Sequence, residues 1–183
     1  SAVGYPNFLG WSKDREVRQA SEKLANSITS INTQTQRGTY SFTQLLIVPS
    51  SSGVIFKTKG KNKQSFSDLV NAGTAVTCDT TSSAFWDNHQ IKIDDIKEVY
   101  VHFDNVSAIC FSKNADYYLE TGDIAGQATV VDDANVDIDN YIIICGSNSD
   151  CDTEPAKPAY MVVWSQFGNV SRFKYGKDAW VRQ

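Results

Sequence analysis

Ser1-Ala-Val-Gly-Tyr5-Pro-Asn-Phe-Leu-Gly10-Trp11 runs without a break into Lys13-Asp-Arg-Glu-Val-Arg-Gln-Ala20, and this junction decides the fold. An apolar lead-in containing a proline passes straight into a charged, amphipathic pattern. From about Asn7 to Arg37, Val17, Ala20, Leu24, Ile28 and Ile31 recur every three or four residues. That spacing predicts one helix with a single apolar stripe. Asp14, Arg15, Glu16, Arg18, Glu22 and Lys23 mostly fall off the stripe. Gly38 is the expected C-terminal cap, with Arg37 beside the negative end of the helix dipole. About 30 residues at 1.5 Å each give a rod of about 45 Å. Its second half has a stripe to bury on a sheet. Its first part, with Tyr5, Pro6, Phe8, Leu9 and Trp11, is too apolar for water and is expected to project.

Beyond Gly38 the period falls to two. Gln44–Val48 and Val54–Lys59 read as strands around the turn Pro49-Ser-Ser-Ser-Gly53. The lysines alternating along the second strand, Lys57, Lys59 and Lys61, followed by Lys63, suggest a protected sheet edge. Phe66–Val70 reads as one helical turn. Residues 73–89 read as loop, with Phe85 and Trp86 as a packing anchor. Lys97–Phe103 alternates as a strand with Val99, Val101 and Phe103 inward and His102 outward. Ser107–Phe111 and Ala128–Val131 are further strands, and the continuous apolar run Tyr141–Cys145 is a central one. With Gly168-Asn169 as a two-residue hairpin loop, Phe167 opposes Val170, Trp164 opposes Phe173 and Val162 opposes Tyr175. Arg172 and Lys174 then fall on a wet outer face. Trp180 packs the tail back. One helix followed by strands defines an α+β fold: a long N-terminal helix (residues 1–37) on an antiparallel β-sheet in a β-rich head (38–183), as a single domain.

The 183 residues carry 17 Lys and Arg against 21 Asp and Glu, a net charge of −4. No stretch approaches the roughly 18 apolar residues of a membrane span. The charge is uneven. From Asp132 to Glu154 there are seven acids and no base, whereas Arg172, Lys174, Lys177 and Arg182 face only Asp178. Acidic segment and basic hairpin are candidate mates between subunits. Four cysteines, Cys78, Cys110, Cys145 and Cys151, suggest two disulfides of an exported domain. Three pairings exist; the turn-rich spacer favours Cys145–Cys151, with Cys78–Cys110 as the other bridge.

Two segments bear a family resemblance. Ala2-Val-Gly-Tyr-Pro6-Asn-Phe resembles the end of the class III signal segment of type IV pilins and type II secretion pseudopilins. Tyr141-Ile-Ile-Ile-Cys145 with Tyr160-Met-Val-Val-Trp-Ser-Gln-Phe-Gly168-Asn-Val-Ser-Arg172 resembles the carboxyl-terminal half of the GspH/FimT group of minor pilins. The resemblance implies an apolar helix that begins upstream of Ser1. It would be anchored in the inner membrane and methylated at its processed end, then moved into an extracellular filament beside other pilin or pseudopilin subunits. Tyr5, Pro6, Phe8, Leu9 and Trp11 would be the lower part of that filament packing. A minor subunit that primes assembly or sits near the tip is expected; the sequence leaves a major subunit open.

Other functions find weaker support in the residues. The chain lacks G-x-S-x-G and a phosphate-cradling glycine loop, and no catalytic constellation has good spacing, so an enzyme is not expected. No cofactor or metal is expected either, with Ca²⁺ as a lesser alternative at Asp132–Asp139 or at Asp150, Asp152 and Glu154. Some FimT-group subunits are implicated in DNA uptake. Here the Gly-Arg-x-Arg pattern is reduced to Gly168-Asn-Val-Ser-Arg172, leaving Arg172, Lys174, Lys177 and Arg182 as candidate DNA contacts. A secreted adhesin or ligand-binding domain using Phe85, Trp86, Tyr117 and Tyr118 is the remaining alternative.

Overall fold

The computed structural model describes residues 5–72, 92–102, 108–113, 141–165 and 167–183, with side chains for all of these except 5–9, 69 and 70. The fold is α+β: an N-terminal helix packed on antiparallel sheets. Helix α1 spans Tyr5–Gln36. Val17, Ala20, Leu24, Ile28 and Ile31 are all buried, as their spacing requires. Its C-terminus closes on Gly38 at φ 74°, with Gly38 N–H donating to Thr35 and Thr39 N–H to Gln34. Only glycine enters that left-handed region without steric cost.

Strands β1 (Phe42–Ser50) and β2 (Gly53–Lys61) form a hairpin with Ser50 opposite Gly53, a tighter turn than the sequence suggests. Helix α2 (Lys63–Asn71) is longer than the single turn expected. Strands β3 (Lys92–Lys97) and β5 (Ala108–Ser112) complete a four-stranded sheet of order β3-β2-β1-β5. The second sheet has order β4-β6-β7-β8-β9, from Tyr100–His102, Tyr141–Cys145, Ala159–Trp164, Val170–Gly176 and Ala179–Arg182. Among the described residues there are thus two sheets where one was expected, and α1 packs on both.

Three expectations are corrected. First, β2 is not an edge: β1 and β3 flank it, and Lys59 is buried at 6% exposure. Second, Lys97–Phe103 is not one strand. The chain turns at Glu98, with φ 56°, so β3 ends in the first sheet and β4 begins in the second. Val99 is buried as expected, His102 is half-buried, and Phe103 lies outside the described residues.

Third, the last hairpin has a different register. Trp164 opposes Val170, Val162 opposes Arg172, Met161 opposes Phe173 and Tyr160 opposes Lys174. The connection is the longer loop 165–169, closed by Ser165 N–H to Asn169 and Gly168 N–H to Ser165. The Ser165 hydroxyl also accepts from the backbone of Phe167 and Asn169. Moving the register by an odd number of residues inverts the face of β8 relative to β7. Phe173 and Tyr175 therefore join Tyr141, Ile143 and Met161 in a second core, on the side of the sheet away from α1. Ile142, Ile144, Tyr160, Val162 and Trp164 face the helix. Trp180 is buried against Tyr175, ring centroids 5.0 Å apart, so the tail does pack back.

Candidate functional site

The first described part of α1 is exposed, and the two sheets pack against the helix further along. Gly10 and Trp11 are exposed, Trp11 at 59%, and among the described side chains the buried stripe begins at Val17. The Arg15 guanidinium lies over the Trp11 ring at 5.9 Å. Tyr5, Pro6, Phe8 and Leu9 belong to α1, and their side chains lie outside the described residues.

Where the helix meets the sheets, ion pairs flank it on both sides. Towards the second sheet, Asp14 pairs with Lys174 at 2.8 Å and Glu22 with Arg172 at 3.1 Å. The two acids stand eight residues apart, about 12 Å along the axis. The Tyr160 hydroxyl donates to both carboxylate oxygens of Asp14 at 3.3 Å, and the Lys174 ammonium sits 5.4 Å from the Tyr160 ring centre. The hydrogen bond to Asp14 raises the Lys174 pKa, and burial raises that of the Tyr160 phenol. Towards the first sheet, Lys23 pairs with Asp94 at 2.8 Å. Lys13 donates to the Glu98 carbonyl at 2.6 Å, at the point where the chain changes sheets.

This arrangement relocates the basic hairpin. Arg172 and Lys174 do not lie on an outer wet face: the corrected register turns them towards α1, where each holds an acid. Lys177 sits in the two-residue turn between β8 and β9, where it and Asp178 have φ of 48° and 67°. Arg182 donates to the Ser171 hydroxyl at 3.0 Å. The four cations are therefore divided between a helix clamp, a turn and a strand rather than gathered in one patch.

Cys145 and Cys151 are disulfide-bonded to each other, as the spacer suggests. Cys110 is also disulfide-bonded, and Cys78 lies outside the described residues. Trp180 Nε1–H donates to the Thr153 carbonyl within the acidic loop. In that loop the Asp152 carboxylate accepts from the Glu154 backbone and Asp150 from Ser149. Among the described residues no group of three or more His, Cys, Asp or Glu side chains is placed to hold a metal ion. Asp132–Asp139, Phe85, Trp86, Tyr117, Tyr118 and Ala128–Val131 lie outside the described residues. Nor is any described helix long and apolar enough to cross a membrane.

Comparison with protein-family models, with curated proteins and with solved structures returns no match for this chain.

Proposed function

We propose that this chain is the globular part of a structural subunit of a type IV pilus or type II secretion pseudopilus, a minor pilin that primes assembly or sits near the tip. On this reading α1 continues an apolar segment held in the inner membrane. That segment moves into the filament core during assembly, where it packs against the equivalent helices of other subunits. The observation that carries the reading is Trp11: a large aromatic, 59% exposed, on a helix whose buried stripe, among the described side chains, begins at Val17. A tryptophan more than half exposed at the start of a long helix, two residues after Leu9 and close behind Tyr5, Pro6 and Phe8, is the kind of surface a partner helix covers. The paired charges flanking α1 support it further. Together with the buried stripe they tie the rod to the head, as transmission of axial load requires.

The test uses the complete reading frame in cells that carry the assembly machinery. Filaments are sheared from the surface and probed for this subunit. A cysteine introduced as Trp11→Cys is expected to form cross-linked species with neighbouring subunits in the sheared fraction. The prepilin peptidase is expected to shorten the chain. A subunit that is neither processed nor recovered with filaments in a piliated strain overturns the reading.

A further inference from the structure

Along one flank of α1, opposite the edge of the first sheet, lie two adjoining cavities of about 190 and 470 Å³. Ser27, Ser30 and Lys92 line both. The inner one is completed by Gln34 and Tyr40, from the end of α1 and the segment after it, and by Thr58 of β2. Its lining is built rather than incidental. A side chain at Gly60 would overlap the Tyr40 ring, so the glycine lets that ring lie close against the sheet. The Gln34 amide donates to the Ser30 hydroxyl at 3.3 Å, which sets the orientation of both. Ser27 is 8% exposed, and its hydroxyl has no hydrogen-bond partner among the described residues. The Thr58 and Tyr40 hydroxyls likewise have none among the described residues. Tyr40 and Thr58 are half-buried, and the three residues line one cavity, so their hydroxyls are available to a hydroxylated occupant.

The rim adds a sign. Lys23 and Lys92 both line the outer cavity, and both pair with the single carboxylate of Asp94, at 2.8 and 3.4 Å. Glu22 on the same rim is engaged with Arg172. One acid between two ammonium groups leaves the mouth short of negative charge.

We propose that this groove is a binding site for an acidic saccharide: a sugar whose ring hydroxyls pair with Ser27, Gln34 and Thr58, whose apolar face meets Tyr40, and whose carboxylate or sulfate meets Lys92 and Lys23. Hydroxyl and amide groups beside one aromatic ring suit a sugar, which presents alternating C–H and O–H faces. A nucleobase would need a flat apolar slot, and this lining is hydroxyl-rich. The site is independent of the filament reading, since none of its residues belongs to the Trp11 end of α1.

The test is titration of the ¹⁵N-labelled protein with three probes: a hyaluronan tetrasaccharide (carboxylate only), 6-sulfo-N-acetylglucosamine (sulfate only) and neutral chitotetraose. At least one acidic probe is expected to shift the amide signals of residues 27, 30, 34, 58 and 92, with a dissociation constant on the order of 0.1–10 mM. Whichever probe binds identifies the anionic group. Lys92→Met is expected to weaken binding several-fold and Lys92→Glu by about tenfold or more, with the melting midpoint unchanged because Lys92 is on the surface. Gln34→Ala is expected to weaken it through the inner cavity. Absence of shifts with both acidic probes at about 10 mM overturns the proposal. So does equal affinity for chitotetraose, or binding indifferent to Lys92→Glu.

Discussion

The Lys174 ammonium lies 2.8 Å from the Asp14 carboxylate, and the same carboxylate accepts the Tyr160 hydroxyl, so one acid on α1 joins two adjacent strands of the second sheet. Both charged side chains are partly exposed, Asp14 at 30% and Lys174 at 40%, so solvent screens the pair. Asp14→Ala is expected to cost about 1–2 kcal/mol, because it strips a partner from both Lys174 and Tyr160. Lys174→Met should cost less, since it leaves the Tyr160 bond in place. A double-mutant cycle by urea denaturation should give a coupling of about 0.5–1 kcal/mol. The Lys174 pKa is raised on folding. Its contribution is therefore complete below the unfolded lysine value and is lost as pH rises through the higher folded one.

Lys59 behaves in the opposite sense. Burial first, and then the neighbouring charge of Lys61, lower its pKa to about 8 from 10.5. Between these two values the unfolded chain binds the proton and the folded protein does not. Stability should therefore rise with pH from about 8 to about 10.5, by roughly 1–3 kcal/mol from this group, and be flat in its contribution below that window. Lys59→Met should remove the rise while retaining most of the packing. Denaturant midpoints at pH 7, 8, 9 and 10 for the two proteins check it. Parallel curves would show that Lys59 does not titrate in this window.

Much of this fold can be read from residue spacing, and the failures share a cause. The stripe from Val17 to Ile31 is wholly buried, Gly38 caps the helix, and Tyr141–Cys145 is buried throughout. The hairpin register was not legible because the second sheet is apolar on both faces. Sliding β8 past β7 still matches apolar with apolar, so alternation does not choose the face, and the loop length decides. Lysines alternating along β2 imitate an edge; the strand that covers it, β3, arrives 31 residues after β2 ends, at Lys92. The change of sheet at Glu98 has no sequence signal, since a glutamate rarely adopts φ near 56°. The hydroxyl-lined groove has no sequence signal because its parts come from α1, the segment after it, β2 and β3, and none is distinctive alone.

The disulfide Cys145–Cys151 closes a short loop, with a sequence separation of 6, at the end of a central strand. In the chain-entropy model a loop of this size is worth about 2 kcal/mol. Replacing both cysteines by serine should lower stability by about that amount and free the acidic segment. The Trp180 indole donates to Thr153 in that segment, so its fluorescence should shift to the red as the loop loosens. A double variant with unaltered stability and emission would mean that the Trp180 bond alone fixes the loop.

Gly168 stands at φ 77° in the β7–β8 loop, and Asn32 of α1 fills the space where a side chain would be. The Asn32 amide donates to the Phe167 carbonyl at 3.0 Å, so this loop is bound to the far half of the helix. Gly168→Ala meets two obstacles: a left-handed backbone, and an overlap with Asn32. The first alone costs about 1 kcal/mol, and displacement of Asn32 adds the loss of its hydrogen bond, for a total of about 2–3 kcal/mol. The combination with Asn32→Ala separates the two. Removing Asn32 clears the overlap, so Gly168→Ala should then cost only about 1 kcal/mol, the backbone part. Equal costs of Gly168→Ala in both backgrounds would mean that the loop does not rest on the helix, and that the hairpin register is held by its strand pairing and the Ser165 bonds alone.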